Sequence, residues 1–147
     1  MKILNEMSLS FDSRSANEGF ARSAAAAFLA QLDPTVGELN EIRTAVSEAV
    51  TNCVVHAYRD EIGKIFIKVQ IAQGNIVIIR IRDKGCGIED IDRAMEPLYT
   101  TAPDQERSGL GFSVMQSFTD SVKVRSSVGH GTTVTLTKHL SLRLSNG

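Results

Sequence analysis

Ile65-Phe-Ile-Lys-Val-Gln-Ile-Ala-Gln-Gly-Asn-Ile-Val-Ile-Ile-Arg-Ile-Arg-Asp83 decides the fold class. Ile65, Ile67, Val69 and Ile71 fall on one side of an extended chain, with Phe66, Lys68 and Gln70 on the other. After Gly74-Asn75, Ile79 and Ile81 alternate with Arg80 and Arg82. Side chains of a strand point to its two faces in turn, so this period of two predicts a hairpin with one dry face and one wet face. A similar pair closes the chain: Val122 and Val124, then Val134 and Leu136, joined through Gly129-His-Gly131, with Thr133, Thr135 and Thr137 on the wet side. Residues 3 to 11 alternate as well, Met7, Leu9 and Phe11 against Ser8 and Ser10. Sheets that are dry on one side are largely antiparallel and carry their helices there. The expected class is α+β, a two-layer sandwich with helices on one face of a mixed, mostly antiparallel sheet. Residues after Leu140 read as a frayed tail.

Two helices are expected between the first strand and the hairpin. Ser15-Ala-Asn-Glu18 has the capping-box pattern and predicts a helix to about Leu32, with Phe20, Ala24, Ala27 and Phe28 as its apolar positions. Asp33-Pro34 stops it. Thr35-Val-Gly-Glu38 is a second capping box and opens a long helix ending near Tyr58, with Leu39, Ile42, Val46, Val50, Cys53 and Ala57 as its apolar stripe. Away from that stripe, Glu48, Asn52 and His56 recur every four residues, about one turn apart. A carboxylate and a carboxamide so spaced can address one ligand, a metal ion or a water. Ala45 and Ala49 lie between the two faces and are small enough to let a bulky group approach. Arg14 and Arg22 are the basic residues of the first helix, and Glu18 stands one turn before Arg22 as part of a candidate partner surface.

Composition bounds the rest. With 147 residues, 42% of them hydrophobic, the chain is expected to form one domain with a sizeable core. A net charge of −1 with interspersed signs gives no general affinity for nucleic acid or anionic membrane. No run approaches the roughly 20 apolar residues of a membrane span, and the first residues lack a signal-peptide pattern. A cytoplasmic location is the expectation. Cys53 and Cys86 are too few for a disulfide framework, and with His56 they lack a fourth zinc ligand in recognisable spacing.

The glycines mark a site. Asp83-x-Gly85-x-Gly87 ends the hairpin, and the two glycines permit close backbone approach. A carboxylate at the end of a buried strand needs a partner, and the amino group of adenine is one candidate, worth about 1.5–3 kcal/mol. Residues 96 to 108 form a polar stretch with Pro97, Thr100, Thr101, Pro103 and Arg107, of a kind more often a lid or binding loop than filler. It runs into Ser108-Gly109-Leu-Gly111-Phe112, which begins a helix ending near Phe118. Backbone N–H groups at such a helix start suit phosphate oxygens, and Arg107 would add a charge-assisted contact. No P-loop pattern is present, nor are the motifs of eukaryotic-type protein kinases.

In order, Glu48-x-x-x-Asn52, Asp83-x-Gly85-x-Gly87, Gly109-x-Gly111 and Gly131-Thr132 resemble the four nucleotide-binding boxes of the GHKL ATPases, the Bergerat-type fold shared by gyrase and histidine kinases. Phe20-Ala-Arg22, Ser47-Glu-Ala-Val-Thr-Asn52, Glu96-Pro-Leu-Tyr-Thr-Thr101 and Glu106-Arg-Ser-Gly-Leu-Gly-Phe112 resemble, over nearly the whole chain, the anti-sigma F factors of endospore-forming bacteria. The resemblance implies a dimeric serine kinase that holds sporulation sigma factor F inactive and phosphorylates an anti-anti-sigma factor, with ATP or ADP and Mg²⁺ as its ligands. It gives Glu48 the role of general base, Asn52 that of Mg²⁺ ligand and Asp83 that of adenine reader, with Gly85 and Gly87 making room. Thr100 and Thr101 would belong to the lid. Arg107, Ser108, Gly109, Gly111 and Thr132 would serve the nucleotide, while Arg22, with Glu18 and Arg14, would meet protein partners. His56 is expected to be structural. Family members usually have Gly where this chain has Ala57 and a lid Lys where it has Ala102. Competing readings are the stress-response relative, a nucleotide-gated binding module without phosphotransfer, and a histidine-kinase catalytic domain, which would need an upstream phospho-acceptor hairpin.

Overall fold

In the computed structural model, which describes residues 1–96 and 111–141, strand β1 (Ile3–Asp12) leads into helix α1 (Asn17–Leu29) and helix α2 (Val36–Asn52). Strands β2 (Lys64–Ala72) and β3 (Ile76–Asp83) follow, then a short helix α3 (Ile91–Ala94), helix α4 (Gly111–Phe118), and strands β4 (Ser121–Ser127) and β5 (Gly131–His139). The strands form one sheet in the order β1-β2-β3-β5-β4, and every neighbouring pair is antiparallel. The α+β class stands, and no parallel pairing occurs among the described residues.

Alternation sets the two faces. Ile65, Ile67, Val69, Ile71, Ile79, Ile81, Val134 and Leu136 are buried beneath Ala25, Leu29, Ile42, Val46, Val50 and Met115 of the helices. Hydrophobic burial of this one-sided kind is what joins the two layers. On the opposite face Ser8, Lys68, Arg80, Thr135 and Lys123 fall in one register row across the sheet. Beside that row, Arg82 and Lys84 lie 4.7 Å and 5.2 Å from the centroid of the Phe66 ring. Gln70 departs from the wet pattern: it is buried and accepts from Arg80.

Helix α1 departs from its sequence pattern. The box at residues 15–18 does not form, because Ala16 occupies the N-cap and makes no side-chain bond there. Glu18 is engaged instead by the Ser47 hydroxyl of α2, and Asn17 donates its amide to the Asp12 carbonyl at 2.9 Å. The buried stripe is Ala21, Ala25, Ala26 and Leu29, whereas Phe20 is 57% exposed and Ala27 lies outside. Alanine on every side of residues 24 to 27 leaves the helical phase open, and packing against α2 chooses it. Arg14 lies in the turn before the helix rather than on it, where its carbonyl accepts from Asn17 N–H.

Helix α2 starts as its sequence dictates. Glu38 N–H donates to Thr35 Oγ1 at 3.0 Å, and Thr35 N–H donates to Glu38 Oε1 at 2.9 Å. Asp33, in the left-handed region at φ 50°, ends the single 3-10 turn before it. Past Asn52 the helix widens into a π-helical turn, Cys53–Ala57, which closes when Tyr58 N–H returns to the Cys53 carbonyl. This break alters the step from Asn52 to His56 while Glu48 and Asn52 stay one α-helical turn apart, and π turns often mark functional sites. Ala45 is buried in the core rather than at a face. Ser141 is tied down, its N–H and hydroxyl donating to Glu38 Oε2 at 2.8 Å and 3.0 Å. The expected tail therefore does not begin there. Among the described residues no helix is long and apolar enough to cross a membrane.

Candidate functional site

The end of α2, the loop after β3, α3, the start of α4 and the β4–β5 hairpin enclose a cleft of about 1340 Å³. Asn52, Asp83, Gly87, Gly111 and Thr132 all line it, as do Ala49, Cys53, His56 and Ser126. Five residues expected to serve a nucleotide thus come together from four separate stretches of sequence. Glu48, half-buried one turn before Asn52, is not among the lining residues. Thr100, Thr101, Arg107, Ser108 and Gly109 lie outside the described residues, as does Ala102. Arg14, Glu18 and Arg22 lie apart from the cleft. Arg22 Nη1 stands 3.9 Å from Glu18 Oε1, and Phe20 projects between them in sequence.

Asp83 is the most constrained of these groups. It is 5% exposed, and Oδ1 accepts from Gly85 N–H at 2.9 Å and from Thr132 N–H at 3.2 Å. Oδ2 accepts from the Cys53 thiol at 3.5 Å. Burial raises the carboxyl above its ordinary value, and the hydrogen bonds from Gly85, Cys53 and Thr132 oppose that rise only in part. Burial raises the Cys53 thiol strongly, with the Asp83 charge adding to it, so the thiol keeps its proton and is the donor of the pair.

Two glycines hold this carboxylate in place by what they lack. A Cβ at Gly85 would sit 2.4 Å from the Ala57 carbonyl oxygen, which accepts from Cys86 N–H at 3.1 Å. The loop is thereby stitched to the end of the π turn, and the methyl group of Ala57 is accommodated beside Gly85. Gly131, at φ +104°, would place a Cβ 2.2 Å from the Asp83 carbonyl oxygen. Only glycine lets β5 start against the end of β3.

Gly111 does a similar service for Asn52. A Cβ there would lie 3.2 Å from both Nδ2 and Oδ1 of Asn52, so a hydrogen keeps the space above the amide clear at the N-terminus of α4. Among the described residues no group of three or more His, Cys, Asp or Glu is placed to hold a metal ion. A single amide oxygen instead fits Mg²⁺, which is commonly carried by one or two protein oxygens together with phosphates.

Several contributors were not marked as such in sequence. Cys53 reads there as part of a core stripe, since nothing local links it to a carboxylate thirty positions away. Ser126 accepts from Ile88 N–H at 2.7 Å and shares a hydrogen bond with Thr132 Oγ1 at 2.8 Å, joining the glycine loop to the last hairpin. Tyr58 donates to the Lys64 carbonyl at 2.7 Å and accepts from Lys84 N–H at 2.6 Å, pinning both ends of the β2–β3 hairpin to the end of the π turn.

The family of histidine kinase-like ATPase domains matches residues 11–138. An anti-sigma F factor from Thermoanaerobacter sp. (strain X514) is 54% identical over 140 residues, covering 95% of this chain and 97% of that protein. Another, from Geobacillus thermodenitrificans (strain NG80-2), is 56% identical over 138 residues, covering 93% and 94%. The crystal structure of the RsbU and RsbW domains of a Mycobacterium tuberculosis protein shares the fold, with a TM-score of 0.69 and 21% identity over 93% of this chain and 32% of that one. A cleft built from these boxes, a family match over most of the length and relatives more than half identical along it lead to one conclusion: the chain belongs to the histidine kinase-like ATPase domains and, within them, to the anti-sigma F factors.

Proposed function

We propose that this chain binds and inhibits sporulation sigma factor F and uses ATP to phosphorylate a serine of an anti-anti-sigma factor, acting as a single cytoplasmic domain of residues 1–147 that pairs into a homodimer. The observation that carries the reading is the convergence of Asn52, Asp83, Gly87, Gly111 and Thr132 on one cleft. Asp83 accepts the amino N–H of adenine, and the same carboxylate repels the carbonyl that guanine presents there. Gly111 and the start of α4 offer N–H groups to the phosphates, with Thr132 beside them. Arg107, Ser108, Gly109, Thr100 and Thr101 complete the phosphate site and its lid. Asn52 holds Mg²⁺, which when bound neutralises charge on the phosphate oxygens. Glu48 takes the proton of the serine hydroxyl as its oxygen bonds to the γ-phosphorus and the bond to the bridging oxygen of ADP breaks. Arg22, Glu18 and Arg14 form the partner-binding surface, and the exposed Phe20 gives it an apolar centre.

The test is to incubate the purified chain with Mg²⁺, γ-labelled ATP and an anti-anti-sigma protein, and to locate the label by mass spectrometry. Label on a serine of the added protein supports the kinase reading. A second reading is a nucleotide-gated binding module without transfer, which needs no base at position 48. Glu48→Gln separates the two: the kinase reading expects transfer to vanish while ATP binding stays near its original strength.

A further inference from the structure

We infer that Cys53 is a specificity-determining residue for the base: by donating to Oδ2 of Asp83, its thiol fixes the plane of that carboxylate and leaves one acceptor position on it for an amino N–H. This rests on the reading of Asp83 as the group that meets adenine. Acceptor capacity is what leaves that position open. An ionised carboxylate offers about four acceptor positions. Oδ1 already receives Gly85 N–H and Thr132 N–H, and Oδ2 receives only the thiol. Both side chains are almost wholly buried, at 4% and 5% exposure, yet both line the cleft. The position left open on Oδ2 is therefore available to a ligand in the cleft.

The donor type matters. A thiol is a weak donor, so it orients the carboxylate without quenching Oδ2 as an acceptor. With a group at position 53 that cannot donate, the carboxylate is anchored through Oδ1 alone and can turn about that anchor. Cys53 is placed for this by the π turn it opens, where its own N–H is shared between the carbonyls of Ala49 and Val50. The same residue thus marks where the helix widens and where it meets β3.

The test compares three nucleotides: ATP, GTP, and purine riboside triphosphate, which lacks the amino group. In Cys53→Ala, affinity for ATP should fall about two- to tenfold, the range of one neutral hydrogen bond. Affinity for the analogue should stay unchanged, so the preference for ATP over GTP narrows. Cys53→Ser, which restores a donor, should recover part of it. Equal losses for ATP and the analogue would mean a packing role only and would overturn the inference. Asp83→Asn separates this from failure of the underlying reading. If that variant keeps its full ATP preference, adenine does not meet Asp83. If it loses the preference while Cys53→Ala keeps it, only the inference about Cys53 is wrong. Should Cys53→Ala not fold, the S–H stretching band of Cys53, assigned in Cys86→Ser protein, remains a direct probe. ATP should shift it and the analogue should not; a band unmoved by ATP would overturn the inference.

Discussion

Asp83 combines two demands that oppose each other, a charge kept out of water and an acceptor kept open to a ligand. Asp83→Asn relieves the first and removes the second. The amide oxygen can still accept from Gly85 and Thr132, so stability near neutral pH should hold or rise, while ATP affinity should fall roughly ten- to a hundredfold. Calorimetric titration and thermal unfolding of the same variant check both halves. The pH dependence has a definite sign. Because burial raises the Asp83 carboxyl, the folded state holds that proton more tightly than the unfolded chain, so its contribution to stability falls as pH rises through the raised value. Asp12 and Asp120 run the other way. Lys64 beside Asp12, and the His139 N–H beside Asp120, hold these carboxyls below their ordinary value, so their contribution is present above that value and is lost as acid protonates them. Unfolding followed against pH should show the Asp83 component vanish in Asp83→Asn and the acid-side loss persist. That Asp83 needs a partner was legible in sequence, since an acid ends an apolar strand. Which groups satisfy it was not, because Cys53 and Thr132 reach it only through the fold.

Among the elements, the start of α2 ties the most together. Glu38 closes the capping box with one oxygen and receives Ser141 with the other. Burial pulls its carboxyl upward, but the bonds from Ser141 and Thr35 outweigh that and leave it below its ordinary value. Thr35→Ala should cost about 1 kcal/mol, and Glu38→Ala more, since it also releases Ser141 beyond the last strand. At about 2–4 °C per kcal/mol for a chain of this size, thermal melts resolve the two. Gly131→Ala should be far more damaging than either. Its backbone is left-handed and its Cβ would overlap the Asp83 carbonyl, so we expect a loss of soluble folded protein measured by circular dichroism and gel filtration. The strands and this capping box were legible because period and cap chemistry are local. The false box at Ser15 fits the same pattern, and there Glu18 finds Ser47 across the helix pair instead of its own first turn.

At the scale of the molecule, ligand binding should report on the whole fold. Mg²⁺ with ATP at a hundred times its dissociation constant adds about 2.7 kcal/mol to stability, so a thermal shift several degrees larger than that produced by equimolar GTP is expected. Alternation and the turns told which face of each strand is dry and that β2 pairs with β3 and β4 with β5, but not that β1 lies beside β2 or β5 beside β3. The order β1-β2-β3-β5-β4 depends on where α1 and α2 return the chain, and no period in the sequence carries that. The two faces of the sheet also differ in charge. Arg82, Lys84 and Arg125 have no carboxylate partner among the described residues, although the chain as a whole is close to neutral.

The place of β1 at one edge of the sheet bears on how the protein is made. Its partner is β2, and Asp12 pairs with Lys64 at the near end of that ladder. A ribosome releases β1 first and must then translate both helices before any strand exists to pair with it. Met7, Leu9 and Phe11 lack their strand partner throughout that interval, which exposes the edge of β1 to aggregation or chaperone capture. The β2–β3 hairpin, by contrast, can close as soon as Asp83 leaves the exit tunnel.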